Sequence, residues 1–167
     1  AKRMFKWLDT MLHPDGEISF FNDAAIDIAP KLNELIHYAK RLGLNYSFTN
    51  FDKTSHLSDS GYIRLNSKDA VVLLDVAPIG PDYLPGHAHA DTLSFELSLF
   101  GQRLLVNGGT SQYGTSVIRQ YERGTKSHNT VIVNDKNSSE VWSGFRVARR
   151  AYPYDLKIEE LENFVSV

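Results

Sequence analysis

The sequence predicts a mainly β protein, an antiparallel β-sandwich preceded by helices. Two observations support this prediction. In residues 1–44, apolar side chains recur every three or four positions, as one face of a helix requires. In residues 45–167, runs rich in β-branched and aromatic residues are broken by Gly, Asn, Asp and Ser at intervals of about ten residues, which is typical of antiparallel strands. The period changes between Leu44 and Tyr46, so we place a domain boundary there.

Two helices are predicted in the first part of the chain. The first covers residues 4–12 and ends at a turn of His, Pro, Asp and Gly. The second covers residues 24–42, with Asp23 as its N-cap and Gly43 at its end. Pro30 lies inside this range, where a helix tolerates proline only near its start or with a kink.

Six or seven strands are predicted after the boundary. They cover residues 46–48, 61–67, 70–76, 92–100, 102–106, 130–133 and 145–154. A polar turn joins the second of these strands to the third, and Gly101 joins the fourth to the fifth. Apolar alternation continues to Val167, so we expect the sequence to be a piece of a longer protein.

Composition excludes several classes of protein. Of the 167 residues, 42% are hydrophobic and 23% are charged, which is typical of a globular chain and not of a disordered or fibrous one. The formal net charge of -2 argues against a general nucleic-acid binder, and no apolar run reaches the roughly 18 residues of a membrane span. Because cysteine is absent, a disulfide scaffold, a thiolate zinc site and a cysteine nucleophile are excluded.

The run at residues 85–91, Pro-Gly-His-Ala-His-Ala-Asp, is the densest group of candidate ligands and leads into a predicted strand. In an extended chain His87, His89 and Asp91 project to one face, because side chains alternate along a strand. Imidazole and carboxylate groups gathered in this way suit Zn²⁺ or another first-row metal. A His-x-His pair without a further ligand is a weak signal, so a structural role stays open.

A second polar region precedes the strand predicted at residues 130–133. There His128 follows a cluster that can bind a carboxylate or a sulfate, composed of Arg119, Tyr121, Arg123 and Lys126. Tyr121 is also a candidate proton carrier. Tyr113 lies in a polar, glycine-rich loop whose backbone can approach a ligand closely. We select Tyr113, Arg119, Tyr121 and Arg123 as candidate substrate-binding residues; a surface strand with solvated charges is the alternative.

Three blocks of sequence together resemble the heparinase II/III-like polysaccharide lyases. The first block is residues 85–96, Pro-Gly-His-Ala-His-Ala-Asp-Thr-Leu-Ser-Phe-Glu. The second is residues 105–110, Leu-Val-Asn-Gly-Gly-Thr, with Tyr-Gly at 113–114. The third runs from Arg119 to Val131 and contains Ser-His-Asn-Thr. Their order and intervals both match, and the resemblance extends back to Phe-Asn-Asp at residues 21–23.

The resemblance implies a protein of two parts with a substrate cleft between them. Enzymes of this family join an N-terminal α/α toroid to a C-terminal antiparallel β-sandwich. Residues 1–44 would then be the helical end of the toroid, and residues 45–167 the first part of the sandwich. The implied reaction is β-elimination at a uronic acid of an acidic polysaccharide, such as heparan sulfate or alginate. The implied location is the periplasm or the cell exterior.

The resemblance also implies roles for individual residues. His87 resembles the catalytic cleft histidine that assists with the proton or the carboxylate, and His89 and His128 resemble two ligands of a zinc ion. The third ligand in the family is usually an aspartate, and Asn107 stands at that position here. An amide oxygen is a neutral and weaker donor than a carboxylate. We therefore expect this site to bind Zn²⁺ weakly, to take another metal or to stay empty.

The remaining catalytic groups lie mainly on the toroid in this family. We therefore expect the missing partner to be the N-terminal toroid domain of the same protein, and the 167 residues alone to be inactive. Two other functions stay open. One is a catalytically inactive carbohydrate-binding or assembly module of a cell-surface glycan pathway, since fold does not determine function. The other is a cupin-like metal enzyme, although Glu96 follows His89 by seven residues where a cupin has about four.

Overall fold

The computed structural model describes residues 1–48, 51–162 and 164–167. Two helices precede the sheet, α1 (Lys2–Thr10) and α2 (Leu32–Arg41). α1 confirms the first predicted helix, shifted by two residues toward the N-terminus. In the part of the chain that the structure describes, no helix is both long enough and apolar enough to cross a membrane.

α2 begins eight residues later than predicted. Pro30 explains the difference, because proline lacks the helical N–H and disfavours helical backbone at the residue before it. Asp27 also has a φ of 65°, outside the helical region. The helix is capped at Lys31, whose N–H donates to the Glu34 carboxylate at 2.9 Å. Asp23 is therefore not a helix cap, and its carboxylate binds other side chains instead.

Five antiparallel strands form the main sheet, in the order β1-β2-β3-β4-β5. They are β1 (Thr54–Leu57), β2 (Tyr62–Asn66), β3 (Ala70–Asp75), β4 (Phe95–Leu99) and β5 (Gln102–Leu105). Each strand pairs with the next along the chain, so the sheet is a meander. A register shift between Leu97 and Ser98 marks a bulge in the last pair, just before the loop that contains Asn107.

Apolar contacts hold the N-terminal segment against the sheet. Met11 and Phe21, which follow α1, pack with Val71 and Leu73 of β3 in one buried cluster. A second cluster joins Leu12 to α2. Because every second residue of β3 is buried, one face of this strand forms the floor on which the N-terminal segment lies.

The second half of the chain contains shorter elements. α3 (Val117–Arg123) and a 3₁₀ helix (Thr125–Ser127) lie where the sequence predicts no helix. Two small antiparallel ladders follow, β6 (Val141–Trp142) with β7 (Arg146–Val147), and β8 (Glu159–Glu160) with β9 (Val165–Ser166). The predicted fold class is confirmed, because the regular structure is mostly antiparallel strands.

Several strand predictions need correction. Residues 46–48 form no strand, residues 130–133 contribute only a bridge between Val133 and Lys136, and the range 145–154 forms only β7. Val131 and Val133 are largely exposed, and an extended segment without a neighbouring strand is not stable by itself. β4 begins at Phe95 and not at residue 92, because Leu93 has a φ of 62°. β1 was missed because Thr-Ser-His-Leu has little strand-forming character.

Candidate functional site

The expected extended arrangement of His87, His89 and Asp91 is wrong. Residues 86–94 form turns and irregular backbone, so the alternation of a strand does not apply. The side chain of His87 is 67% exposed, whereas that of His89 is fully buried. Both imidazoles nevertheless bind the same carboxylate, that of Asp23.

Asp23 is the centre of the site. Its Oδ2 accepts a hydrogen bond from His87 Nδ1 at 2.8 Å, and its Oδ1 accepts one from His89 Nε2 at 2.7 Å. Arg119 completes the set, with Nη2 donating to Oδ2 at 2.9 Å and Nη1 donating to Oδ1. Burial raises the pKa of Asp23, but the hydrogen bonds from His89, Arg119 and His87 outweigh burial and hold the pKa well below its usual range. Asp23 is therefore ionised.

His89 and His128 lie side by side beneath the surface, with their ring centroids 5.3 Å apart. Nδ1 of His89 and Nε2 of His128 have no hydrogen-bond partner among the described residues. The other ring nitrogens bind Asp23 and, at 3.2 Å, the Oδ1 of Asn107. Burial and the neighbouring His89 lower the pKa of His128 to about 3, against the opposing effect of the Glu122 carbonyl. His128 is thus neutral, with a buried lone pair on Nε2.

Two buried imidazole nitrogens without a hydrogen-bond partner in the described part of the chain have the donor chemistry that a transition-metal ion requires. Two imidazoles bound to one tetrahedral Zn²⁺ hold their ring centroids about 5 Å apart, which agrees with the separation of His89 and His128. Asn107 is buried, and its Oδ1 also accepts the Asn129 N–H at 3.3 Å, so the amide oxygen holds His128 in place. No group of three or more His, Cys, Asp or Glu side chains within residues 1–48, 51–162 and 164–167 is arranged to hold a metal ion. The free donors are therefore the two imidazole nitrogens, while the Asn107 amide oxygen, expected as the third ligand, already accepts two hydrogen bonds.

Glu96 of β4 fixes two segments of the site relative to each other. Its Oε1 accepts the backbone N–H groups of Phe20 and Asn107, both at 2.9 Å. Its Oε2 lies 2.6 Å from Nε2 of His13, whose Nδ1 lies 2.6 Å from Ser98 Oγ. All three side chains of this Ser-His-Glu line are buried. The line therefore ties the turn after α1 to β4 and is closed to a substrate.

Arg119 and Arg123 are fully buried, which corrects their predicted role as substrate contacts. They lie four residues apart on α3 and so share its inner face. Arg119 binds Asp23, Thr110 and the Gly144 carbonyl. Arg123 donates to main-chain carbonyls, those of Ala88, Trp142, Ser143 and Arg146. We reassign both arginines to holding the loops of the site together.

The two candidate tyrosines are exposed but lie in different places. Tyr121 lies two residues from each arginine on α3, and such residues do not share a helix face. Tyr113 lies beside His87 with ring centroids 5.9 Å apart, and Phe145 lies 5.7 Å from His87 and 5.2 Å from Tyr113. Arg119 lies 5.4 Å from the Tyr113 ring and 5.5 Å from the Phe145 ring. The exposed histidine therefore lies in an aromatic patch above a buried cation; substrate binding by either tyrosine stays a prediction.

Asp23 and Glu96 are the site residues that the sequence analysis did not select for these roles. One signal was present for Asp23, since Pro30 argues against a helix that starts at residue 24. Its contact with His87 joins residues 64 positions apart, which no local spacing predicts. Glu96 alternates with apolar residues in β4 and gives no sign of the loops it binds.

A comparison with known protein families identifies the family to which this chain belongs. The profile described as Heparinase II/III-like, C-terminal, matches residues 52–167. The chain belongs to this heparinase II/III-like family. The matched range contains His87, His89, Asn107 and His128, whereas Asp23 precedes it. The resemblance inferred from the sequence is confirmed.

Solved structures of heparinase III and of a heparan sulfate lyase share the fold. The crystal structure of heparinase III has a TM-score of 0.71 and 18% identity, and the match covers 95% of this chain and 28% of that one. A mutant of the heparan sulfate lyase HepC from Pedobacter heparinus has a TM-score of 0.61 and 22% identity, and the match covers 77% of this chain and 23% of that one. The heparinase III BT4657 gene product with methylated lysines has a TM-score of 0.63 and 21% identity, and the match covers 84% of this chain and 25% of that one. This chain thus spans about a quarter of the length of these structures. A search of curated proteins gives no match.

Proposed function

We propose that this heparinase II/III-like chain contributes one wall of the active site of a polysaccharide lyase. The substrate would be an acidic polysaccharide that contains uronic acid, such as heparan sulfate or alginate, and the reaction would be β-elimination. The supporting observation is His87, an exposed imidazole whose Nδ1 binds the buried, ionised Asp23. Activity and substrate belong to the whole protein, of which this chain would be a part. The location implied by the resemblance is the periplasm or the cell exterior.

The chemistry of β-elimination makes three demands on an active site. The uronate carboxylate must be neutralised, the C5 proton removed and the departing O4 protonated. Because Nδ1 of His87 is bound to Asp23, Nε2 is the nitrogen available to exchange a proton or to donate to the uronate carboxylate. Tyr113 and Phe145 offer ring faces for a sugar beside it. The toroid implied by the resemblance would supply the remaining groups.

We propose a metal site beside this wall. His89 Nδ1 and His128 Nε2 would hold a Zn²⁺ ion, and Asn107 would orient His128 through its amide oxygen. The bound ion would supply a fixed positive charge that holds the two histidine loops together. Asp23, Glu96 and Arg119 keep the protein framework of the site in place.

The test is a lyase assay on the full-length protein. Heparan sulfate and alginate are supplied separately, and formation of the unsaturated uronate product is followed by its absorbance. Replacing the proposed proton-transfer group should lower kcat by about 10²-fold or more, so we expect that loss in His87→Ala. His37→Ala is the matched control, because His37 is an exposed histidine on α2. We expect the control to keep the wild-type rate.

The isolated 167-residue chain is assayed in parallel and is expected to form no product. Product from the isolated chain would show that the toroid is not needed. If the full-length protein binds these polysaccharides without cleaving any of them, the lyase proposal is wrong and the catalytically inactive binding module replaces it. Equal rates in His87→Ala and His37→Ala would remove His87 from the reaction.

A further inference from the structure

Asp23 binds two histidines, the exposed His87 through Nδ1 and the buried His89 through Nε2. We propose that Asp23 is a positioning residue that fixes the tautomer and ring orientation of His87 and His89 at the same time. One carboxylate would thus link the solvent-facing histidine to the histidine of the metal site. This inference rests on the proposed function for the catalytic part of His87, and it names the group that orients that imidazole.

The hydrogen-bonding chemistry determines which nitrogens carry protons. Both oxygens of the Asp23 carboxylate accept hydrogen bonds from the Arg119 guanidinium, so each ring nitrogen that binds Asp23 carries the hydrogen. In His87 this nitrogen is Nδ1, which leaves the lone pair of the neutral ring on Nε2. In His89 it is Nε2, which leaves the lone pair on the buried Nδ1, in a ring whose centroid lies 5.3 Å from that of His128. The same carboxylate therefore leaves free the nitrogen needed for proton exchange in one ring and for metal binding in the other.

The carboxylate of Asp23 has no spare capacity for a different arrangement. Oδ1 accepts from His89 and Arg119, and Oδ2 accepts from His87 and Arg119. The side chain is only 6% exposed, so water has little access to replace a lost partner. The two hydrogen bonds from the Arg119 guanidinium fix the orientation of the Asp23 carboxylate. The orientation of the carboxylate in turn sets the orientation of both imidazoles.

Neighbouring residues also hold the backbone of Asp23. The side-chain oxygen of Asn22 accepts the backbone N–H of His89 at 3.1 Å. The carbonyl of Ala24 accepts the N–H of Thr110 at 3.0 Å. Asp23 is therefore anchored on both sides to the loops that it organises, as expected for a group that positions other side chains.

The first test is the tautomer of each histidine in the wild-type chain, measured by NMR with ¹⁵N-labelled imidazoles. The samples contain EDTA to remove metal and are kept at a pH of about 9, above the ordinary pKa of a free imidazole. We expect His87 to carry its proton on Nδ1 and His89 to carry its proton on Nε2. A proton on Nε2 of His87 would overturn the proposal, and this wild-type result stands whether or not a variant folds.

The second test is Asp23→Asn, which keeps the shape but presents only one acceptor oxygen. The amide NH₂ that replaces one oxygen only donates, so the ring nitrogen that faces it must accept, and we expect that ring to reverse its tautomer. Asp15→Asn is the matched control, because Asp15 loses an equal charge but binds Arg103 at a partly exposed position. Unchanged tautomers in both rings of Asp23→Asn would contradict the proposal.

Kinetics of the full-length protein separate this inference from the proposed function. We expect Asp23→Asn to lower kcat on the cleaved polysaccharide about 10–100-fold with little change in KM, and Asp15→Asn to match wild type. If the tautomers are as expected but no polysaccharide is cleaved, the lyase proposal fails and the positioning role of Asp23 stands. If the lyase is active and His87 carries its proton on Nε2, the positioning role fails alone.

Discussion

Arg119 and Asp23 form a buried ion pair that joins α3 to the irregular segment after α1. Nη2 of the guanidinium donates to Oδ2 at 2.9 Å, and Nη1 donates to Oδ1. The side chain of Arg119 has no exposed surface, and that of Asp23 has 6%. The pair connects parts of the chain that are 96 residues apart, so its loss affects both stability and the geometry of the site.

Removing one partner of this pair is expected to be costly. Arg119→Met keeps the length of the side chain but leaves the Asp23 carboxylate buried without its cation. We expect the free energy of unfolding to fall by about 3–5 kcal/mol, measured by urea denaturation. Arg149→Met is the control, because Arg149 pairs with Glu140 at an exposed position and should change stability little. Equal losses of unfolding free energy in the two variants would show that the buried ion pair stabilises the fold no more than the exposed one does.

Gly109 is a position where only glycine fits. Its φ is +59°, and a Cβ there would overlap the carbonyl oxygen of Ala24. Gly109→Ala should therefore destabilise the fold more than Gly101→Ala, because Gly101 has a φ of +79° and open space around it. We expect about 1–2 kcal/mol for the backbone term in each variant, and about 1–3 kcal/mol more for the overlap at Gly109. Thermal and urea unfolding measure the difference in stability between the two variants. Equal losses of stability would mean that the loop at Gly109 moves to accommodate the methyl group without cost.

Metal binding by the histidine pair can be measured on the purified chain. Mass spectrometry and titration calorimetry with Zn²⁺ should show binding in wild type and its loss in His89→Ala and in His128→Ala. Because a carboxylate accepts the hydrogen bond of His128 more strongly than an amide does and makes that imidazole a better metal ligand, Asn107→Asp should tighten Zn²⁺ binding, by about 10-fold or more. His37→Ala should bind as wild type does. Binding that survives in His89→Ala and His128→Ala would place the ion elsewhere.

Asp75, at the end of β3, is a buried carboxyl whose surroundings disfavour its charged form. Burial and the nearby Asp91 raise its pKa well above the usual value, although the Ala77 N–H opposes this shift. The native state therefore binds a proton at Asp75 more tightly than the unfolded state does. Wild type thus loses stability as the pH rises through the raised pKa. Asp75→Asn carries no charge at this position and should not lose stability over the same pH range.

We expect Asp75→Asn to be more stable than wild type by about 1 kcal/mol at a pH near 7.5. The advantage should shrink as the pH is lowered toward the ordinary pKa of aspartate, about 3.9. Urea unfolding at several pH values measures this, with the exposed Asp59→Asn as control. An advantage independent of pH would rule out the raised pKa as its cause.

Much of the sheet could be predicted from local patterns. The predicted ranges 61–67, 70–76 and 102–106 contain β2, β3 and β5, because alternating apolar residues and glycine-containing turns act over a few positions. The prediction of one long helix after residue 24 was wrong, since Pro30 outweighs the apolar period. α3 was missed because its charged residues obscure a helical face whose two arginines point inward.

The sequence by itself determined the fold class, the family and the histidines that meet in the site, because runs, turns and motifs are local properties of the chain. Only the tertiary structure decided what those residues touch. It placed His89 against His128, buried Arg119 and brought Asp23 to His87 from 64 positions away. The physical reason is that burial and hydrogen-bond pairing depend on how distant loops pack, and a buried charge stays only where the folded chain supplies its partners.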